Sequence, residues 1–558
     1  MAQDWLKNIL FKGRREAEER DAQRRALKLG HPYLNLATLP VETDAIELIS
    51  EEEARKNKIV AVEKKGNQAV IAAYDTGEQG AAAQIKKWED AGLKLKIFVV
   101  SLSSLERAWD FYKYSIKATA PMTGRIDISK ERIAELIGKL KKLESVKEAI
   151  SNFDYRKLPT GQVLEIVLAG ALANRASDIH FEPEEKTVKL RYRVDGDLKD
   201  VMGDLVPNIY THLISRIKLL SNLKINVRDE AQDGRFTIGL GTKEIELRVA
   251  IAPSEFGEVV VMRVLDPETI GLELAQLGLR KDDLVIVQEE LEKPNGMILN
   301  TGPTGSGKTT TLYAFLKSKR SPEIKIVTIE DPIEYHLDGI EQTQVNPEAK
   351  YTFANGLRSI MRQDPDSILI GEIRDKETAE IAIQAALTGH LVFSTIHANN
   401  AAGAIPRLVD LGVKPTSIGP ALNLIIAQRL IKRLCEKCKQ KEKIEADMKT
   451  KLESFVKSLS GRVDKNDYKE INIYNPKGCD ICGGSGYKGR VAIYELLRVS
   501  KELEALMMKG AGEIEIQEFA LGQGMVTIQQ DGILKVISGI TTFDEVKKIT
   551  GPIEFLKI

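Results

Sequence analysis

Residues 295–320 read NGMILNTGPTGSGKTTTLYAFLKSKR. An apolar run, Met297-Ile298-Leu299, enters a glycine-rich turn, and a helix-forming stretch leaves it. The turn matches G-x-x-x-x-G-K-[ST] from Gly302 to Thr309. Glycine there lets successive main-chain N–H groups converge on phosphate oxygens, and the following helix N-terminus adds a favourable dipole. The cradle is read as Gly302, Pro303, Thr304, Gly305, Ser306, Gly307, Lys308, Thr309 and Thr310. Lys308 is placed to neutralise the β- and γ-phosphates, and the Thr309 hydroxyl to ligate Mg²⁺. The loop predicts a nucleoside triphosphate without saying which, or what work is done.

Working outward, two later apolar strands end in acids. Ile326–Ile329 is followed by Glu330, Asp331, Pro332, Ile333 and Glu334; Ser367–Ile370 is followed by Gly371 and Glu372. In a parallel sheet the carboxyl ends of strands face the ligand. Where a Walker B strand ends in Asp this chain has Gly371, so Glu372 is assigned to Mg²⁺, through water. Glu334 is the candidate for orienting or deprotonating the attacking water, and Glu330 reads as a solvated turn residue. His390 and His397 flank LVFST; His397, at its carboxyl end, is placed to hydrogen-bond a γ-phosphate, whereas His390 reads as structural.

Length and composition bound the rest. At 558 residues the chain holds several domains, and 43% hydrophobic with 29% charged residues is a globular composition. Lys plus Arg equals Asp plus Glu at 81 each, which argues against an overall basic nucleic-acid coat. The longest stretch without charge, Ile381–Pro406, holds two histidines and two adjacent asparagines and is no bilayer span. Lys7 interrupts the apolar N-terminus, so a secretory signal is not expected. Residues 1–30 read as a charged amphipathic helix with a solvated face, or else one that docks on a partner or membrane surface. A small α/β domain follows, with strands at KIVAVEKK and QAVIAAYD and helices at AAAQIKKWEDAG and SLERAWDFYKYS. After the break at Pro121, one helix is expected over SKERIAELIGKLKKLESVKEAI. Next come a helix, GQVLEIVLAGALANRA, and strands TVKLRYRVDG, RFTIGL, KEIELRVAIAP and EVVVMRVLD, with turns at Asp195-Gly196 and Asp233-Gly234.

The four cysteines fall in two pairs, Cys435-x-x-Cys438 and Cys479-x-x-Cys482. Four thiolates suffice for one closed, structural tetrahedral Zn²⁺, and a disulfide pair is the alternative. The intervening 40 residues, 439–478, carry a helix-like run, IEADMKTKLESFVKSL. Gly483, Gly484 and Gly486 allow a tight turn after the second pair.

GPTGSGKTT, TIEDPIEY, RQDPDSILIGEIRDKETA and TGHLVFSTIHANN, in that order, resemble the four boxes of the ATPases of bacterial type II secretion and type IV pilus assembly. The resemblance continues upstream through RASDIHFEP, RYRVDG, DEAQDGRF and GEVVVMRVLD, and downstream through AQRLIKRLC and GYKGRVAIYELL. It implies a RecA-like P-loop NTPase domain of α/β class, preceded by a PAS-like α+β domain and a small N-terminal α/β domain. The implied boundaries are a helix at 1–30, an adaptor domain at 31–118, a helical linker at 119–155, the PAS-like domain at 156–270 and the motor domain at 271–558 with its four-cysteine insert at 435–482. It further implies a cytoplasmic homo-hexamer at the inner membrane that hydrolyses Mg·ATP and docks on a membrane platform protein, without nucleic acid. Arg248 and Arg263 match family arginines that approach the phosphates, and Leu277 and Gly278 match positions near the adenine. Residues 1–120 lack the repeated RLGxxL-type signature of cyclic-di-GMP-binding members. A DNA-translocating ring shares the loop and the arginines but needs a basic, aromatic-bearing channel, and the motor half has no Trp. A nucleotide-controlled switch is the third class, yet neither an NKxD-type guanine reader nor an LSGGQ signature is present.

Overall fold

Apolar runs of four to six residues, closed by a glycine, an acid or, after Ile396, a histidine, are what a parallel strand buried on both faces presents. In the computed structural model these runs form the centre of a seven-stranded sheet. The model describes residues 17–36, 43–46, 48–65, 68–109, 112, 124–152, 160–240, 243–266 and 271–556. Across this sheet the order is Glu341–Gln344, Ile326–Glu330, Ser367–Ile370, Leu391–Ile396, Gly296–Thr301, Leu422–Leu434 and Tyr487–Arg498. All neighbours are parallel except the last pair. Every residue of Gly296–Thr301 and Leu391–Ile396 is buried. Each fully buried Val, Leu, Ile or Phe there contributes about 1.5–3 kcal/mol, so these strands anchor the sheet. The register pairs Thr301 with Ile396 and with Ala427, Ile370 with Ser394, and Ile329 with Ile370. The strands therefore end level, and whatever follows them is delivered to one edge.

The same unit, Gly124–Ile558, contains a second seven-stranded sheet, ordered Arg125–Asp127, Gln232–Leu240, Lys243–Ser254, Gly257–Leu265, Ala176–Pro183, Val188–Val194 and Asp197–Leu205. Asp195 and Gly196, both at positive φ, turn the last hairpin. Asp233-Gly234 is not a turn: it lies inside a strand, opposite Ala250 and Val249. Glycine stands there because a Cβ would meet the Ser221 carbonyl at 2.5 Å. The single helix expected over 129–150 is two, Lys130–Lys139 and Leu143–Ser151. The break lets Ile133, Leu136 and Leu140 on one side and Val146 and Ile150 on the other face one core. The Leu140 carbonyl it frees accepts from Asn174 Nδ2 at 2.8 Å. This segment, read as linker, adds a strand to the sheet and two helices to its core.

The other unit, Met1–Thr123, has a hairpin of Ile59–Lys65 and Gln68–Ala73, a crossover helix Gln79–Asp90, and the strand Lys94–Val99 parallel to the second hairpin strand. Of the N-terminal amphipathic helix only 17–29 is described, and residues 1–16 lie outside the described residues, as do 110–111 and 113–115 of the helix expected at SLERAWDFYKYS. The 17–29 helix packs on its own unit: Ala22 and Ala26 are buried, Glu19 accepts from Ser101 and Tyr33, and the Arg25 guanidinium lies 3.7 Å from the Tyr74 ring centroid. Charged residues read as a solvated face thus include two that dock. Among the described residues no helix is long and apolar enough to cross a membrane.

Candidate active site

The phosphate loop leaves Thr301 and enters the helix Lys308–Lys319. Gly307 is its N-cap at φ 90°, without a side-chain cap, and the Ser306 hydroxyl is buried with no hydrogen-bond partner among the described residues. Uncapped first-turn amides and an orphaned buried hydroxyl suit an oxyanion. Pro303, Thr304 and Gly305 form the exposed crest, while Thr309 and Thr310 lie in the first helical turn. Lys308 Nζ donates to the carbonyls of Gly302 and Pro303 at 2.8 and 3.1 Å. Burial holds its ammonium below the usual lysine range, with the Glu372 carboxylate opposing that shift.

A residue the sequence reading passed over fixes this loop from beneath. Gln428, 2% exposed, donates from Nε2 to the Ser306 carbonyl at 2.9 Å, and its Oε1 accepts from Asn300 Nδ2 and Thr311 Oγ1 at 3.1 and 2.9 Å. The Ser306 C=O and the Gly307 N–H share one trans peptide and point opposite ways. Drawing the carbonyl down onto Gln428 turns the Gly307 amide up toward the open side. Glycine is required at 307 because its φ is +90°, and a Cβ there would also come within 2.9 Å of Gln428 Nε2.

The level strand ends bring the acids to the same edge. Glu372 pairs with Arg374 and lies 3.6 Å from His397 Nε2. Glu334 receives Arg248 Nη1 at 2.8 Å, and Arg248 Nη2 donates to the Ile333 carbonyl. Burial raises the Glu334 pKa above the ordinary glutamate range, while Arg248 and then Arg263 pull it back. Arg263 Nε donates to Oδ1 of buried Asp178, 3.0 Å away on the adjacent strand. Glu330 is not a solvated turn residue: it is buried and accepts from Tyr313, Thr328 and Gln342. A side chain on a strand's last residue still points into the layer above the sheet, which explains the difference. His390 Nδ1 contacts the Ala385 carbonyl at 3.0 Å, before its strand, and so stands at the opposite edge of the sheet from the phosphate loop.

Leu277, buried, offers its carbonyl to the Tyr494 hydroxyl at 3.1 Å and shares a core with Leu312 and Phe315 of the phosphate-loop helix. Gly278, at φ 83°, packs so close to Val491 that a Cβ would sit 2.7 Å from Cγ2. Farther along, the Sγ atoms of Cys435, Cys438, Cys479 and Cys482 all lie within 4.8 Å of one another. Neighbouring sulfurs stand 3.7–3.9 Å apart, close to the ~3.8 Å edge of a tetrahedron with 2.3 Å Zn–S bonds. Burial opposes ionisation of Cys482, but amide donors from Cys479 and Gly486 outweigh it and lower its pKa to about 7.

Residues 156–548 match the type II/IV secretion system protein family, and residues 29–117 match the MshEN domain. The chain belongs to the type II/IV secretion system protein family. The type IV pilus assembly ATPase PilB of Myxococcus xanthus strain DK1622 is 37% identical over 534 residues, covering 94% of this chain and 90% of its own length. The type II secretion system protein E of Pectobacterium carotovorum is 38% identical over 500 residues, covering 89% and 96%. The Legionella pneumophila ATPase DotB superposes with a TM-score of 0.52 at 21% identity, over 71% of this chain and 97% of its own, which shows the shared fold. This secretion-family chain is a RecA-like P-loop ATPase, a motor of the secretion and pilus-assembly class, and the family implies ATP and Mg²⁺. The four cysteines fit a zinc site.

Proposed function

We propose that the chain is a hexameric motor that hydrolyses Mg·ATP at the cytoplasmic face of the inner membrane to drive pilin or pseudopilin assembly, docking on a membrane platform protein and needing no nucleic acid. The observation that carries this reading is Lys308, Glu372 and His397 together at level strand ends, with Arg248 reaching from the preceding domain to Glu334 in the segment that follows the neighbouring strand. Main-chain amides of the loop and Lys308 bind the β- and γ-phosphates. Thr309 and Glu372 would hold Mg²⁺, which neutralises phosphate charge when bound. Glu334, its basicity raised by burial, orients the attacking water and takes its proton. Arg248 and Arg263 compensate charge as the γ-phosphate departs, Leu277 and Gly278 face the adenine, and His397 reads the γ-phosphate. Cys435, Cys438, Cys479 and Cys482 hold a structural Zn²⁺. Because Arg248 and Glu334 lie on different domains, cleavage that loosens their ion pair lets the two lobes move as rigid bodies.

The test is hydrolysis by the purified chain. Lys308→Ala should abolish ATP binding, whereas Glu334→Gln should bind ATP and lose turnover by roughly a hundredfold or more. Full turnover by Glu334→Gln overturns the assignment of the base, and wild-type protein indifferent to Mg·ATP overturns the reading as a whole.

A further inference from the structure

Between the cysteine pairs the insert does not stand apart from the motor domain. Its helix Ala446–Ser458 buries Leu452, Phe455 and Val456 in the main core, and Phe455 stacks on Phe555 at 5.1 Å. Just beyond that helix, Arg462 enters a charge cluster that the nucleotide chemistry above leaves unused. Its Nη2 donates to Asp283 Oδ1 at 2.6 Å, and its Nε lies 3.1 Å from Asp282 Oδ2 as a charge contact without hydrogen-bond geometry. From the other side Arg280 binds Asp282, Asp283 and Asp531 at 3.1, 2.6 and 2.9 Å. Lys535 closes on Asp531 at 2.5 Å. Three cations thus face three carboxylates. The Arg280, Asp283 and Asp531 side chains are 5%, 1% and 0% exposed.

The cluster leads directly to the base-facing segment. Asp531 Oδ2 accepts the Tyr494 amide at 2.8 Å, and the Tyr494 hydroxyl donates to the Leu277 carbonyl at 3.1 Å. Arg280 follows Leu277 by three residues and begins the helix Lys281–Leu291. Leu277–Arg280 is therefore pinned at both ends, by Tyr494 and by Arg280, and both pins hang on Asp531. A buried ion cluster holds its geometry only while every charge is matched. Without Arg462, Asp282 and Asp283 share Arg280 alone, and its grip on Asp531 slackens.

We propose that Arg462 is a positioning residue of the nucleotide site: through Asp282, Asp283 and Arg280 the four-cysteine insert holds Leu277–Gly278 in the conformation that receives the purine. This rests on reading Leu277 and Gly278 as base-facing. The insert is then a wall of the nucleotide pocket at one remove. Phosphate binding rests on the loop above Gln428, which meets the cluster only at second hand, through Thr311 between Gln428 and the Tyr494 hydroxyl.

The experiment uses the full chain and two probes, Mg·ATP and inorganic tripolyphosphate, which carries the phosphates without a base. Arg462→Ala should weaken ATP binding by roughly tenfold and leave tripolyphosphate affinity within about twofold of wild type. Arg462→Lys, which keeps the charge but cannot fork across both aspartates, should fall between, and it carries the comparison where Arg462→Ala does not fold. Equal losses for both probes mean the cluster serves only the fold and overturn the proposal; so does unchanged ATP affinity. Wild-type protein that binds tripolyphosphate but gains nothing from the base refutes the reading of Leu277 and Gly278, and wild-type protein that binds neither probe refutes the phosphate loop. Either result brings this inference down too.

Discussion

Replacing Gln428 by Leu keeps the volume beneath the phosphate loop and removes the amide that ties its neighbours together. Three groups lose their partner: the Ser306 carbonyl, Asn300 Nδ2 and Thr311 Oγ1. Asn300 Oδ1 already has no partner among the described residues, so that side chain has little to fall back on. At about 1 kcal/mol for each stranded group the sum is roughly 3 kcal/mol. Only the part acting through the Ser306–Gly307 peptide reaches the ligand. Released, that peptide can rotate and take the Gly307 amide out of the cradle. A share of about 1.4 kcal/mol is a tenfold loss of affinity. Titration of the purified variant with a fluorescent ATP analogue should therefore give a Kd raised by about tenfold or more. Amide exchange at Gly307 should accelerate in parallel. A Kd within about twofold of wild type, with Gly307 exchange unchanged, would refute the account of the loop.

Glu334 sets a pH signature. Its pKa lies above the ordinary glutamate value, so the carboxylate is lost as pH falls through that raised value and the acid limb of kcat should lie correspondingly high. Arg248→Ala removes the charge that favours the carboxylate and should move the limb to still higher pH; a limb that stays put or moves down rejects the pairing as functional. Arg263→Ala should cut hydrolysis by roughly a thousandfold, and mixing it with Lys308→Ala subunits should leave the loss in place, because Arg263 acts on Glu334 of its own chain. Recovery on mixing would place the arginine's action across a subunit interface and reject its pairing with Glu334 of the same chain. Changing Cys479 and Cys482 to Ser should lower the thermal midpoint and take metal content from about one zinc per chain to none; wild-type protein purified without zinc excludes the site.

The four central strands were legible because each is a short apolar run with a punctuating glycine, acid or histidine, and the phosphate loop because its spacing is dictated by phosphate geometry. Glu372 and His397 were legible as residues just past strand ends, and Glu334 as part of the acidic segment after Ile326–Glu330, since a parallel sheet delivers such ends to one edge. The misses share a cause. Asp233-Gly234 has the composition of a turn, but its glycine answers to a neighbouring backbone distant in sequence. Glu330 looked exposed because nothing local reveals Tyr313 and Gln342 closing over it. Gln428 and Arg462 act on partners more than a hundred residues away, Ser306 and Asp283, and no periodicity signals such contacts. Leu95 and Ile97 do alternate with lysines in Lys94–Val99, a signal present in the sequence and left unread.

The strand Leu422–Leu434 carries Gln428 under the loop, directs Arg429 to the Asn399 carbonyl, sends Lys432 across to Asp197 and leads into Cys435. Successive side chains of a strand point to opposite faces. Losing or gaining one residue near Asn423 would swap the roles of Gln428 and Arg429 and turn Lys432 away from Asp197 in a single event. This segment should therefore accept point changes far more readily than changes of length, and libraries built to vary the motor should hold its residue count constant.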